Sequence, residues 1–287
     1  MKQLTIISGK GGTGKTSIAA AFASLAENTV FADCDVDAAD LHLIFKPKIK
    51  KTMIFKGFKS ASINLSKCTF CKRCVESCVF NAIDENITVN QNLCEGCGVC
   101  NYLCPVDAVK MVDRESGSAY ISETRFGPLS HAVLNTAEEA SGKLVSVVRE
   151  NAKNIAKDLR KKLILIDGPP GIGCPVIASI TGVDIVLIVT EPTLSAIHDL
   201  KRIYDVTCYF KIPALICINK YDINLDNTRK IEDYCKDENI PIVGKIPYDI
   251  IITRAMVNEK SVIEFSDGHL SKCIENMWGN VKERLEE

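Results

Sequence analysis

"SGKGGTGKTS", residues 8–17, stands between a short apolar run, Gln3–Ser8, and an alanine-rich stretch, Thr16–Ala26. The order strand, glycine-rich loop, helix gives the pattern G-x-x-x-x-G-K-[ST] its specificity and predicts a phosphate-binding loop over Gly9–Thr16. Small residues let the backbone N–H groups of Gly11, Gly12, Thr13 and Gly14 curl around phosphate oxygens. Lys15, Thr16 and Ser17 open the helix and add the positive end of its dipole. Lys15 is expected to reach the β- and γ-phosphates, and the Thr16 hydroxyl to ligate Mg²⁺.

The rest of the chain suits a sheet built around such a loop. Asn28–Asp35 reads as a second strand. Leu163–Asp167, Asp184–Thr190, Ala214–Asn219 and Ile242–Ile246 are mostly continuous Ile, Leu and Val, as in parallel strands covered on both faces. Helical patterns at Arg149–Arg160 and Thr193–Tyr204 separate them. Alternating units predict an α/β fold, a doubly wound and mostly parallel sheet with ligands at the carboxyl ends of its strands.

Two of those ends are acidic. "ADCDVDAAD" (32–40) carries Asp33, Asp35 and Asp37, and "LILIDGPPG" (163–171) carries Asp167. Asp33 and Asp167 are expected to hold Mg²⁺, directly or through water, and a carboxylate among Asp33, Asp35 and Asp37 to orient an attacking water. "NKYD" (219–222) resembles a base-recognition motif in which Asn219 contacts an adenine edge. Asp222 also suits guanine, so the motif by itself leaves both ATP and GTP open.

One region interrupts the alternation. "CTFCKRCVESCVFNAI" (68–83) and "CEGCGVCNYLCPVDAV" (94–109) align without gaps at an offset of 26 and hold eight of the 14 cysteines. Two copies of C-x₂-C-x₂-C-x₃-C resemble the two-cluster bacterial ferredoxin pattern, in which the fourth cysteine of each run serves the other cluster. That resemblance implies one [4Fe–4S] cluster on Cys68, Cys71, Cys74 and Cys104, and another on Cys94, Cys97, Cys100 and Cys78. Zinc sites use ligand pairs rather than triplets plus one. The first run ends in Cys78-Val79 where ferredoxins usually have proline, and the second in Cys104-Pro105. Most of the six scattered cysteines are expected to be small core hydrophobes.

Lys10, a second lysine in the loop, completes K-G-G-x-G-K-[ST]. With "DCDVDAADL" and "DGPPG" as two switch-like segments, residues 1–45 and 113–265 resemble the MinD/ParA family of P-loop ATPases. That family includes the nitrogenase iron protein and the Mrp/ApbC-type iron–sulfur carriers. The resemblance implies a MinD-like P-loop NTPase fold and MgATP hydrolysis. It also implies a nucleotide-dependent homodimer, or a heterodimer with a similar chain, in which Lys10 reaches the partner's nucleotide. Lys10, Lys15 and Asp35 form its catalytic set. "TRFGPLSHAVLNTAEEASGKLVSVVR" (124–149) and "TEPTLSAIHDLKR" (190–202) are similar to relatives with an inserted ferredoxin domain, although Asp40 stands where they more often have Asn. The expected organisation is a first ATPase part (1–59), a ferredoxin insert (60–112) and a second ATPase part (113–287).

Two activities are compatible with these parts. One is an ATPase that gates electron transfer to an unidentified redox acceptor, and the other an ATP-dependent carrier that delivers clusters to an iron–sulfur acceptor. Cys174, in "GPPGIGCPV", reads either as an idle thiol or as a ligand to a cluster shared in a dimer. A cobyrinate-type amidotransferase shares the fold but needs a glutaminase domain, for which the chain beyond Leu163 leaves little room.

A formal net charge of −1 gives no basic excess for nucleic acid. No apolar run approaches the roughly 20 residues of a membrane span. With no signal-peptide pattern at Met1 and cysteines suited to a reducing compartment, a cytoplasmic location is expected. Leu270, Ile274, Met277 and Val281 recur at helical spacing, and their polar face mixes Glu with Lys, which predicts core packing rather than a membrane anchor. Lys46–Lys59 reads as a solvated linker.

Overall fold

The computed structural model describes residues 1–135 and 141–287; residues 136–140, inside the 124–149 stretch, lie outside the described residues. Its strands are β1 (Lys2–Ser8), β2 (Thr29–Asp33), β3 (Lys48–Phe55), β4 (Phe58–Ile63), β5 (Val109–Arg114), β6 (Gly117–Thr124), β7 (Gly127–Leu134), β8 (Leu163–Pro170), β9 (Ile185–Thr190), β10 (Ala214–Asn219) and β11 (Ile242–Ile246). Nine of them form one sheet in the order β11-β10-β9-β1-β8-β2-β7-β6-β3. From β11 to β7 every pairing is parallel. The apolar runs account for this, since every residue of β9 and β10 and all of β1 except Lys2 are buried.

Strand order and register decide where chemistry can occur. β1 lies between β8 and β9, and β2 lies on the far side of β8. Asp33 at the end of β2 is registered directly against Asp167 of β8. Asp167 in turn faces Ile6 of β1, two residues before the strand ends. The glycine loop and two acids thereby meet at the carboxyl ends of three adjacent strands, the place where open parallel sheets bind ligands.

Three strands depart from the sequence expectation. β6 and β7 are joined by Arg125 and Phe126 alone, a connection open only to antiparallel neighbours. β3 occupies most of the lysine run, so Lys46–Lys59 is not a linker but an edge strand followed by the start of β4. The residues of β3 are almost all exposed, and lysines on an edge discourage pairing with other chains. The run reads as solvated linker because neither face of β3 supplies the apolar alternation of a half-buried strand.

The chain divides into two compact units, one of Met1–Thr52, Ala119–Val133 and Ser141–Glu287, and one mainly of Met53–Ser118. In the first, helix Lys15–Leu25 buries an alanine-rich face together with Phe22. A helix expected over Arg149–Arg160 instead spans Ser141–Asp158, with Leu144, Val145, Val148, Ala152 and Ala156 as its buried stripe. Its first turns hide this period behind Ser, Gly and β-branched residues, which have weak helix propensity. Helix His269–Glu286 buries Leu270, Ile274, Met277, Trp278 and Val281, and Trp278 packs on Phe22 at 4.8 Å between ring centroids.

In the second unit β4 and β5 pair antiparallel, from Phe58↔Arg114 to Ile63↔Val109. The paired strands run out to Phe58 and Arg114, inside a compact unit that extends from Met53 to Ser118. Short helices Arg73–Glu76 and Val99–Tyr102 occupy equivalent places in the two repeats. The matched pairs Ala82 with Ala108 and Ile83 with Val109 are all buried. Trp278→Ala is expected to lower stability by roughly 3–5 kcal/mol, the usual cost of emptying an aromatic site in a core, measured by urea unfolding.

Candidate functional site

The glycine loop is built against the strand ends rather than held by its own contacts. Gly14 has φ 91°, and a Cβ there would lie 2.3 Å from Asn219 Nδ2, so both backbone and neighbour require glycine. Ser8, the loop from Gly11 to Ser17, Asp35, Ala38, Asp40 and Pro170 line one cavity. Lys15, at the helix N-terminus, is buried with Nζ 3.2 Å from Asp35 Oδ2 and 3.5 Å from Asp167 Oδ1. Burial works against its charge, but Asp167 and Asp35 outweigh burial and raise its pKa.

The carboxylates are less comfortable. Burial, reinforced by the charge of Asp167, pushes Asp33 well above the usual carboxylate range. Burial also raises Asp167, against the pull of Lys15. Asp33 Oδ1 accepts the Asp35 N–H at 3.2 Å, whereas Asp167 Oδ1 and the buried Thr13 hydroxyl have no hydrogen-bond partner. A buried carboxylate oxygen that is ion-paired with Lys15 at 3.5 Å but not hydrogen-bonded, beside two further acids, fits a hydrated Mg²⁺, which takes one or two carboxylates and keeps several waters. Thr16 stands next in the same cavity, and Ser17 Oγ lies 3.3 Å from Met256 Sδ.

Asn219 lies beneath the loop. Its Nδ2 donates to Thr13 O at 2.7 Å and its Oδ1 accepts from Lys220 N at 3.0 Å, so the structure gives it the role of holding the loop. Asp222 Oδ1 accepts from Tyr248 N at 2.7 Å. Lys10 reaches back over its own chain, with Nζ 3.3 Å from Glu191 Oε1 and 3.4 Å from Ser195 Oγ. The other oxygen of Glu191 lies 3.0 Å from Lys220 Nζ, which also donates to Gly12 O at 3.0 Å. Sequence reasoning missed Glu191 and Lys220. The available signals were an acid ending a buried strand in "TEPT" and the lysine of "NKYD".

In the second unit Cys68, Cys71, Cys74 and Cys104 line one cavity, and Cys78, Cys94, Cys97 and Cys100 line another. Each set joins three cysteines of one repeat to the fourth of the other. Backbone N–H groups approach the sulfurs, from Phe70 to Cys68 at 3.4 Å and Ala108 to Cys104 at 3.2 Å in the first set. In the second set Ala61 approaches Cys94 at 3.5 Å and Ala82 approaches Cys78 at 3.3 Å. Burial raises the Cys74 and Cys100 thiols. In Cys104 burial is outweighed by the N–H groups of Val106, Ala108 and Val109, which lower the pKa. Among the described residues no three His, Cys, Asp or Glu side chains converge closely enough for a single metal ion. A four-iron cube takes one thiolate per iron, and each of the two cavities is lined by four thiols. All eight are free thiols. Of the six scattered cysteines, Cys34, Cys217 and Cys235 are buried, while Cys174 and Cys208 are exposed and Cys273 is half-buried.

A glycine loop between strand and helix, a buried lysine and acids at neighbouring strand ends are the machinery of a P-loop ATPase. The chain belongs to the CobQ/CobB/MinD/ParA nucleotide-binding family, whose model matches residues 4–262. It is 36% identical over 286 residues to an uncharacterized protein of Methanocaldococcus jannaschii, covering 98% of this chain and 96% of that one. The MinD of Pyrococcus horikoshii complexed with Mg-ADP shares the fold with a TM-score of 0.61 and 16% identity over 98% of this chain and 96% of that one. A putative formate dehydrogenase of Staphylococcus haemolyticus is 26% identical over 126 residues, 38% of this chain and 13% of its own. Among the described residues no helix is long and apolar enough to cross a membrane.

Because the folded Asp33 pKa is raised, its contribution to stability is full below the ordinary carboxylate range and is lost as pH rises through the folded value. Asp33→Asn is expected to flatten that fall and to raise the stability of the nucleotide-free chain at neutral pH by on the order of 1 kcal/mol. The same change should abolish the Mg²⁺-dependent part of stabilisation by nucleotide. Urea unfolding across pH, with and without Mg²⁺ and nucleotide, checks both.

Proposed function

We propose that the chain hydrolyses MgATP as a nucleotide-dependent dimer and that its nucleotide state governs electron transfer from two [4Fe–4S] clusters to an acceptor protein. The observation that carries this reading is the pair of cavities, each lined by three cysteines of one repeat and one of the other, in a chain that also holds a P-loop site. The partial likeness to a putative formate dehydrogenase is consistent with a redox setting. The Mg-ADP in the P. horikoshii MinD complex supports the nucleotide and metal assigned to this chain.

In this reading the N–H groups from Gly11 to Ser17 cradle the phosphates, and Lys15 offsets charge growing on the β- and γ-oxygens. Thr16, Asp33 and Asp167 hold Mg²⁺. When Lys15 turns from Asp35 to phosphate, Asp35 is free to orient the attacking water. Asn219 has a second amide hydrogen to offer an adenine. Lys10 acts across the dimer, on the nucleotide of the partner copy. Cys68, Cys71, Cys74 and Cys104 hold one cluster, Cys94, Cys97, Cys100 and Cys78 the other, and the bound clusters supply one-electron transfer. Free thiols of this kind suit the reducing cytoplasm.

Cluster delivery is the second reading. It is favoured by Cys71 and Cys97, one in each set, being exposed at the surface where an acceptor thiol can attack.

Anaerobic purification with iron and sulfide counts is expected to give about eight iron atoms per chain. Adding MgATP to the reduced protein should then shift the cluster EPR signal or speed oxidation by an acceptor. No change in either would remove the electron-transfer reading, and loss of iron to an apo-acceptor would establish delivery. Lys10→Ala is expected to abolish ATP turnover while leaving nucleotide binding measurable; wild-type turnover in that variant would remove the trans-acting role of Lys10.

A further inference from the structure

We propose that Glu191 is the positioning residue for Lys10: it parks the lysine over its own chain and surrenders it when a second copy brings its nucleotide to the interface. The proposal rests on the reading that Lys10 acts across a dimer. It adds the residue that decides where Lys10 stays before the dimer forms.

Glu191 follows directly on β9 and is largely buried, with one carboxylate oxygen on each of two lysines. These two contacts are not equal. Lys220 is the less exposed, its side chain retaining 27% accessibility, and it also binds Gly12 O of the loop. Lys10 keeps 40%, and its contact is longer, 3.3 Å against 3.0 Å. A buried carboxylate stripped of its only cation would be strongly destabilised. Here the loss of Lys10 leaves Glu191 still paired with Lys220, so the lysine can depart without stranding a charge.

The parking place itself is weak. The second contact of Lys10, Ser195, lies in the first turn of helix Leu194–Tyr209, whose N-terminus carries partial positive charge. That end of a helix disfavours an ammonium group, and an anionic phosphate in a partner's site favours it. The same helix backs the loop where Lys10 begins, since a Cβ on Gly9 would lie 2.5 Å from Asp199 Cβ. Gly9, the residue before Lys10, is thus packed against this helix, Lys10 O accepts from Ser8 Oγ at 2.8 Å, and the tip of Lys10 is tethered by Glu191. Only the tip has to be released. Each exchange trades a half-exposed ion pair for a pair with phosphate; no bond is made or broken, and Glu191 remains a carboxylate on Lys220.

Removing the charge of Glu191 should thus favour the dimer. With Mg²⁺ and a non-hydrolysable ATP analogue, Glu191→Gln is expected to lower the protein concentration at the dimerisation midpoint roughly three- to tenfold, because both copies release a lysine held by a partly exposed ion pair. Sedimentation velocity reads this directly. Gln keeps an oxygen for Lys220, and nucleotide affinity and melting temperature verify the fold. Ser195→Ala should move the midpoint the same way by a smaller factor. In a Lys10→Ala background Glu191→Gln should have no effect on the midpoint. An equal shift there, an unchanged midpoint in the single variant, or a shift to higher concentration would overturn the proposal. Failure of the underlying reading looks different: the wild-type chain would then form no nucleotide-dependent dimer, whereas failure of the proposal alone leaves that dimer intact and indifferent to residue 191.

Discussion

Lys15 is buried between two carboxylates, 3.2 Å from Asp35 and 3.5 Å from Asp167, at the point where the ends of β1, β2 and β8 meet. A single buried cation cannot neutralise three acids. Burial, reinforced by the charge of Asp167, pushes Asp33 well above the ordinary carboxylate range, burial raises Asp167 against the pull of Lys15, and Asp167 Oδ1 has no hydrogen-bond partner. In the proposed function a divalent cation would satisfy the acids, the phosphates would take over the lysine, and ligand binding would relieve a conflict that the free chain carries. Functional sites are where strain of this kind is tolerated.

The lysines around the loop follow a related logic. Lys15 lies deep and is shared between carboxylates that stay within its own chain. Lys220 ties Gly12 to Glu191 and holds the loop's outer edge. Lys10 is the most exposed and the least constrained of the three. In the proposed dimer, a loop that closes on phosphate in one chain and presents Lys10 to another would use this graded hold, firm at the helix N-terminus and looser toward the surface.

How much of this the sequence discloses depends on whether the signal is local. The loop was legible because glycine spacing, flanking strand and following helix sit within a few residues of each other. Asp33 and Asp167 were legible as strand-end acids, but their side-by-side register needs β2 and β8 to be neighbours, across more than a hundred residues of chain. Glu191, Lys220 and the loop-supporting contact of Asn219 depend on the same kind of long-range adjacency, and no local pattern announces them. β3 is not legible in the sequence because an edge strand with lysines on both faces lacks the alternation by which strands are recognised. Helix Ser141–Asp158 was shortened because its first turns have poor intrinsic propensity, and the buried stripe overrides that only after packing.

The cysteine repeat shows the opposite case, in which covalent spacing alone carries most of the arrangement. Three cysteines within a seven-residue run stay together in almost any turn, as Cys68–Cys74 and Cys94–Cys100 do. The fourth position is the informative one, because Cys104 joins the first set and Cys78 the second only if the two repeats cross. Buried Ala82 and Ala108 follow those two cysteines by four residues, and their N–H groups point back at Sγ, at 3.3 Å and 3.2 Å. Both alanines are buried, so a larger side chain at either position would have to displace its neighbours. Small buried residues thus accompany the crossing at matched positions in both halves of the repeat.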